Sequence, residues 1–280
     1  GLGVEYQRQV VDRYLHPCLL GHRVQGIAVV PVALALGWFA RAASVHRPDL
    51  VLSGVSDVRV LRGIRALGFE EDEALHLEVR VSQIQNGDGA QLALALHAQG
   101  KDGKPGPKHY TATARMTRAR TKSTATIARP EGLRGLQGAV YDGVVLFHGE
   151  DFQVIQDVPD VGTDGADGQL GGARSAGWPD LDDGWQTDPA LLDGGLQLAV
   201  LWTTHRLGGA ALPTGLESLE IHQPGLPHGI TRGIVRGREA SGDKAVCDIF
   251  FVDGEGAPVA ELVGVTTHVL PGSRDTETDA

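Results

Sequence analysis

The run Val32-Ala33-Leu34-Ala35-Leu36-Gly37-Trp38-Phe39-Ala40 is apolar on nearly every side. A helix with one apolar stripe can rest on a surface, but one that is apolar all round has to be enclosed. Pro31 opens the helix at no cost, because proline's missing N–H falls among the donors a first helical turn leaves unpaired. A second helix of this kind is expected in the other half of the chain. Asp188 is a good N-cap and Pro189 a good first residue for Ala190 to Trp202, a stretch again rich in leucine, alanine and valine. The rest of the chain must therefore wrap two buried helices.

The wrapping material reads as antiparallel strands. Val51 to Val60 is strand-like, and Leu75, Leu77, Val79 and Val81 alternate with His76, Glu78 and Arg80. Leu92, Leu94 and Leu96 alternate with alanines, and Tyr110, Ala112, Ala114 and Met116 form a weaker alternation. A period of two is the strand signal. Asn86 to Gly89 and Asp102 to Pro107 supply hairpin turns between them. After the second helix the same order returns, with strands expected over Ile230 to Arg238, Lys244 to Val252 and Pro258 to Leu270. Asp253 to Pro258 echoes the turn Asp102 to Pro107.

The expected fold class is thus α+β, built from two copies of one unit, each a long helix wrapped by an antiparallel sheet. Residues 1–120 form the first half, 121–139 a linker, 140–272 the second half and 273–280 a disordered polar tail. Asp160 to Gly184, rich in Gly and Asp, reads as a surface loop. Its aspartates Asp160, Asp164 and Asp167 lack the ligand spacing of a calcium site.

At 280 residues and 41% hydrophobic content the chain can fill such a core, and its net charge of −10 argues against nucleic acid. No apolar run reaches membrane-spanning length, so no membrane partner is expected. Two cysteines, Cys18 and Cys247, give no disulfide framework and suit a cytoplasmic setting.

Two places can carry chemistry. His22 stands just ahead of the first buried helix, whose free N–H groups favour partial negative charge. Asp193 and Gln197, four apart, share one face of the second helix among leucines, surroundings that favour a proton-donating carboxyl. Gly194 and Gly195 beside Asp193 allow close approach of sheet or ligand. His16, Cys18 and His22 have no fourth ligand at zinc spacing, so no metal is expected.

The spacing His22-x3-Gly26-x4-Pro31, led in by His16-Pro17-x-Leu19, resembles the first signature of the dehydratase domains of polyketide and polyunsaturated fatty acid synthases. Asp193-x3-Gln197 resembles their second. Tyr141 with Phe147-His148-Gly149-Glu150-Asp151-Phe152-Gln153 is similar to a further block, the His-Gly form leaning toward the polyunsaturated fatty acid branch. Gly21 stands where the family often has Asp, and Asp188 where it usually has His.

The resemblance implies a double hot-dog fold and dehydration of β-hydroxyacyl thioesters carried on acyl carrier protein. His22 would be the base and Asp193 the acid, with Gln197, Gly26, Tyr141 and His148 in support and Pro31 as a structural mark. Gly26 would lie near the thioester oxygen. No cofactor is implied beyond the carrier's phosphopantetheine. The implied partners are the acyl carrier protein, other domains of the same synthase and a second copy in a homodimer. Arg59, Arg62 and Arg65, or Arg115 to Lys122, would supply a basic docking patch. A product-template-like cyclase or a silent scaffold of the same fold are the alternatives.

Overall fold

The computed structural model describes residues 5–100, 104–120, 123, 126–179, 181–182 and 184–274. Two helices lie at its centre. The first, α1 (Val32–His46), runs a turn and a half past the apolar stretch and ends at Arg47, where the following Pro48 disfavours a further helical residue. The second, α2 (Pro189–Leu207), is buried without interruption from Pro189 to Thr203 and stops at Gly208, whose positive φ a side chain would resist.

One antiparallel sheet wraps both. From one edge it runs through Glu5–Val11, Leu75–Asn86, Ala90–Ala98, Lys108–Thr117 and Val51–Val60. It continues through Ser218–Ile221, Pro258–Val269, Lys244–Val252 and Thr231–Ser241, with Ala211–Gly215 also paired to Pro258–Val269. The halves join where Leu219 pairs with Val55 and Ser218 with Ser56. Leu219 and Val55 are both fully buried there, so the core continues across the seam. An Arg115–Glu220 ion pair spans the same seam.

The paired glycines of α2 have a packing reason. A Cβ on Gly194 would come 2.7 Å from Val154, and one on Gly195 would collide with Phe251, so the bare backbone lets α2 lie directly on the sheet.

One expectation needs correction, and two further segments pair in the sheet. Asp160 to Gly184 is not a surface loop throughout, since Asp160–Gly162 and Gly165–Leu170 are strands, the second paired with Thr231–Ser241. Asp167 is 1% exposed there, its charge met by Arg232 through two 2.6 Å hydrogen bonds and by Arg129. Within the expected linker, Arg134–Gly135 pairs with Asp160–Gly162, and Arg236 donates to the Ala128 carbonyl, which ties this segment to the second half. The strand Glu5–Val11, which lacks a clean alternation, pairs with Leu75–Asn86.

In the polar tail, residues 271–274 form a turn in which Arg274 donates to the Gly242 carbonyl at 2.7 Å, while 275–280 lie outside the described residues. Asp102 and Gly103 of the second hairpin turn also lie outside them. Cys18 and Cys247 are free and buried, and burial raises both thiols, Cys18 to about 12. No described helix is long and apolar enough to cross a membrane.

Candidate active site

His22 follows the short helical turn Pro17–Gly21 and precedes the hairpin of Arg23–Val24 with Ile27–Val30. Its backbone is fixed from both sides, with its N–H on the Leu19 carbonyl at 3.1 Å and its own carbonyl accepting from Val29 N–H at 3.0 Å. The ring is fixed as well. Nδ1 lies 2.8 Å from the Val29 carbonyl, which can only accept, so Nδ1 carries the proton and Nε2 the free lone pair. Phe147, His148 and Phe152 surround the ring, with centroids 5.2 to 5.4 Å away.

The second half reaches this place by a glycine-to-glycine crossing. Gly149 N–H donates to the Gly21 carbonyl at 2.7 Å, and a Cβ on Gly149 would stand 2.7 Å from the Gly21 Cα. A Cβ at position 21 would meet the Gly149 backbone at 3.3 Å, a tight contact. The crossing sets His148 beside His22, and Gln153 holds it there by donating to the His148 carbonyl at 3.0 Å.

Asp193 enters from α2. Its Oδ2 accepts from Gln197 Nε2 at 2.8 Å and lies 3.4 Å from His148 Nε2. Gln197 is itself constrained, donating to the Phe152 carbonyl and accepting from the Tyr141 hydroxyl, both at 2.8 Å. Tyr141 O accepts from Ile155 N–H at 3.0 Å, and burial raises its phenol far above the usual range. The chain Tyr141–Gln197–Asp193 thus fixes the carboxyl from behind.

Ligating atoms of His22, His148 and Asp193 all lie within 4.8 Å of one another, and the three residues are 8%, 9% and 4% exposed. They line a cavity of about 210 Å³ together with Val29, Val30, Pro31, Val32, Leu196, Val200 and Leu216 among others. The rest of the wall is mostly apolar apart from Gln197, a lining suited to an aliphatic ligand. α1 begins at this wall, at Pro31 and Val32, and presents the positive end of its dipole.

Gly26 does not line the cavity. It stands at the tip of the hairpin beside Gln25, both with positive φ, and its role in this structure is the turn. A second depression shares Val24, Val29, Phe147 and Leu212 with the cavity and adds Arg23, Gln25 and Arg65. Arg23 pairs with Glu70, while Arg65 is exposed and has no ion-pair partner among the described residues. Arg115, Arg118 and Arg120 are engaged with Glu220, Asp88 and the Leu52 carbonyl.

Asp188 takes a different part from any catalytic one. Its buried carboxylate caps α2, accepting from Ala190 and Leu191 N–H, and also accepts from Ala173 N–H at 3.0 Å. Burial raises its pKa against the pull of these three donors.

Burial also drags His148 down to about 4, the Asp193 charge opposing and the His22 charge adding to the fall. The unfolded chain binds a proton at an ordinary histidine below about pH 6.5, and the native chain does not until about pH 4. Stability from this group is therefore complete above pH 6.5 and is lost as pH falls toward 4, by about 3 kcal/mol at most. Urea unfolding between pH 7.5 and 4.5 should show this loss in the wild type and a shallower one in His148→Phe. Parallel curves would mean that His148 is charged in the fold.

The pattern of the polyketide synthase dehydratase N-terminal domain family matches residues 120–277, more than half of the chain, including Asp193 but not His22. A polyunsaturated fatty acid synthase polypeptide of Thraustochytrium sp. is 25% identical over 208 residues, covering 72% of this chain and 7% of that protein. The chain thus spans a small fraction of that relative's length. Among solved structures, the dehydratase domain from the CurF module of curacin polyketide synthase superimposes with a TM-score of 0.77 at 20% identity, covering 95% of this chain and 94% of that one. A bifunctional dehydratase-cyclase domain in ambruticin biosynthesis gives 0.71 at 19%, covering 95% and 91%. These likenesses carry the double hot-dog fold.

Proposed function

The chain belongs to the polyketide synthase dehydratase family, and from that premise we propose that it removes water from β-hydroxyacyl thioesters held on the phosphopantetheine arm of an acyl carrier protein. The observation that carries this reading is the convergence of His22 and Asp193, from opposite halves, on the wall of one largely apolar cavity. The α-proton passes to His22 Nε2, the C–H electrons form the Cα–Cβ double bond, and the β-C–O bond breaks. The leaving oxygen takes a proton from Asp193 and departs as water. The thioester oxygen gains negative charge on the way, and the positive end of α1 beside the cavity supports it. This elimination moves protons and water only, so it calls for no electron acceptor and no metal.

Gln197 and Tyr141 hold Asp193 in place, and His148, neutral at working pH, packs against both catalytic groups. The Asp193–Gln197 pair supports dehydration over a cyclase of the same fold. The other domains of a synthase and a second copy of this chain belong to the same reading as partners. The test is mass spectrometry of 3-hydroxyacyl thioesters, on a carrier protein and as pantetheine mimics, in both enantiomers. Loss of one water by the wild type is expected. An inert wild type, also inert in the reverse hydration of enoyl thioesters, would overturn the reading in favour of a cyclase or scaffold.

Carrier proteins of this family are acidic and this chain has a net charge of −10, so docking needs a local cation or tethering. The exposed Arg65 at the mouth shared with the cavity is suited to it. Arg65→Glu should lower kcat/KM for carrier-bound substrate by about 5- to 10-fold at low salt and by less at high salt. A short N-acetylcysteamine thioester should be unaffected. Equal losses on both substrates would sink the docking role.

A further inference from the structure

The polar end of the cavity has the composition of a metal site as well as of an acid–base pair. We propose that His22, His148 and Asp193 bind one zinc ion, and that the ion silences the dehydratase by occupying its base and its acid together. The inhibitory half rests on the proposed roles of His22 and Asp193, whereas binding does not.

The geometry argues for it. Three ligating atoms no more than 4.8 Å apart leave a point within about 2.8 Å of all of them. Zinc binds imidazole nitrogen at about 2.0–2.1 Å and carboxylate oxygen at about 2.0–2.2 Å, so each ligand closes by less than 1 Å. Small side-chain rotations supply that.

Two of the three ligands, His22 and Asp193, have the outer shell of a metal site. His22 donates through Nδ1 to the Val29 carbonyl, which fixes the tautomer and leaves the Nε2 lone pair free for a metal. Asp193 Oδ2 is steadied by Gln197, which is in turn held by Tyr141 and Phe152. His148 is the least satisfied of the three. Its Nδ1 is buried without a partner, and its Nε2 stands 3.4 Å from Asp193 Oδ2, long for a hydrogen bond between buried groups. An ion between the three would bind His148 Nε2 in the tautomer that carries its proton on Nδ1.

Two imidazoles and one carboxylate, with the fourth side open to the cavity, suit a borderline divalent ion and not an oxygen-seeking one such as magnesium. The bound ion would take the His22 lone pair that removes the α-proton and the Asp193 oxygen that protonates the leaving group.

The experiment is calorimetric titration of Zn²⁺ into EDTA-treated protein, with folding of every variant checked by its melting curve. One ion per chain is expected, with affinity lowered by roughly 100-fold or more in His148→Phe and in Asp193→Asn, since losing a ligand exceeds the usual 10–100-fold of an outer-shell change. Co²⁺ in place of Zn²⁺ should give the visible bands of a four-coordinate ion in the wild type and lose them in His148→Phe. Dehydration should fall with added Zn²⁺ at the midpoint set by that affinity and return with EDTA.

Absence of binding would overturn the proposal, as would binding that survives both variants, which would place the ion elsewhere, for instance on His16 and Cys18. Turnover that ignores saturating Zn²⁺, or that requires it, would overturn the inhibitory half. Binding as expected in a protein inert toward every thioester would remove the dehydratase reading and leave the site.

Discussion

His22→Ala should slow water loss from a 3-hydroxyacyl thioester by roughly 10²–10⁴-fold, and Asp193→Asn should do the same. Each change removes one proton-transfer partner from the wall of the cavity. His148 is the nearest replacement for the base, but its pKa of about 4 makes it a poor proton acceptor. Asp193→Asn keeps a carbonyl oxygen to accept from Gln197 Nε2, so the Tyr141–Gln197 chain survives while the acid is lost. The double variant should be little worse than either single one, because the two groups act as a unit.

The measurement is single-turnover mass spectrometry of the loss of one water, beside a thermal melt of each variant. Near wild-type rates in both variants would mean that the reacting groups lie elsewhere in the cavity. A large fall in rate with an unchanged melt is the expected pattern for Asp193→Asn. For His22→Ala some loss of stability is expected too, since the Val29 carbonyl loses its partner.

Asp188→Ala should have the largest effect on stability. The side chain caps α2 through Ala190 and Leu191 N–H and ties Ala173 N–H to the helix start, all in a place 3% exposed. Loss of an N-cap costs about 0.5–2 kcal/mol. Leaving the buried Ala173 donor without a partner adds about 1–3 kcal/mol. Together they give about 2–4 kcal/mol, and at this chain length a fall in Tm of roughly 5–15 °C.

Because Asp193 sits one turn beyond the cap, activity should fall as well, through misplacement of the carboxyl. Asp188→Asn retains an accepting oxygen and should recover part of the stability. A melting temperature within about 2 °C of wild type in Asp188→Ala would show that water replaces the cap, against its burial.

The Asp188 carboxylate also shows where local sequence stops being informative. Its capping role is legible, because Asp followed by Pro ahead of an apolar run is a helix start whatever surrounds it. That it also holds the turn at Ala173 is not legible, because the two are joined only by the fold. The same division holds for the strand Gly165–Leu170. Its residues Gly-Ala-Asp-Gly-Gln-Leu carry no apolar alternation and read as loop. They form a buried strand because Asp167 meets Arg232 and Arg129, residues distant in sequence, and because Leu198 of α2 packs over Gly168 and Gly233.

The sequence by itself determined the two enclosed helices and most of the strands that wrap them, and it marked His22, Asp193 and Gln197 as candidates, because periodicity, capping and short motifs are properties of neighbouring residues. Only the tertiary structure decided that His22 and Asp193 meet, that Gly21 and Gly149 cross backbone to backbone to allow it, and that His148 stands beside both. It also set Gly26 at a hairpin tip beside Gln25, both with positive φ. Such contacts arise when distant segments pair across the sheet seam, and the free energy that selects them comes from burial and partner matching that no single stretch of chain contains.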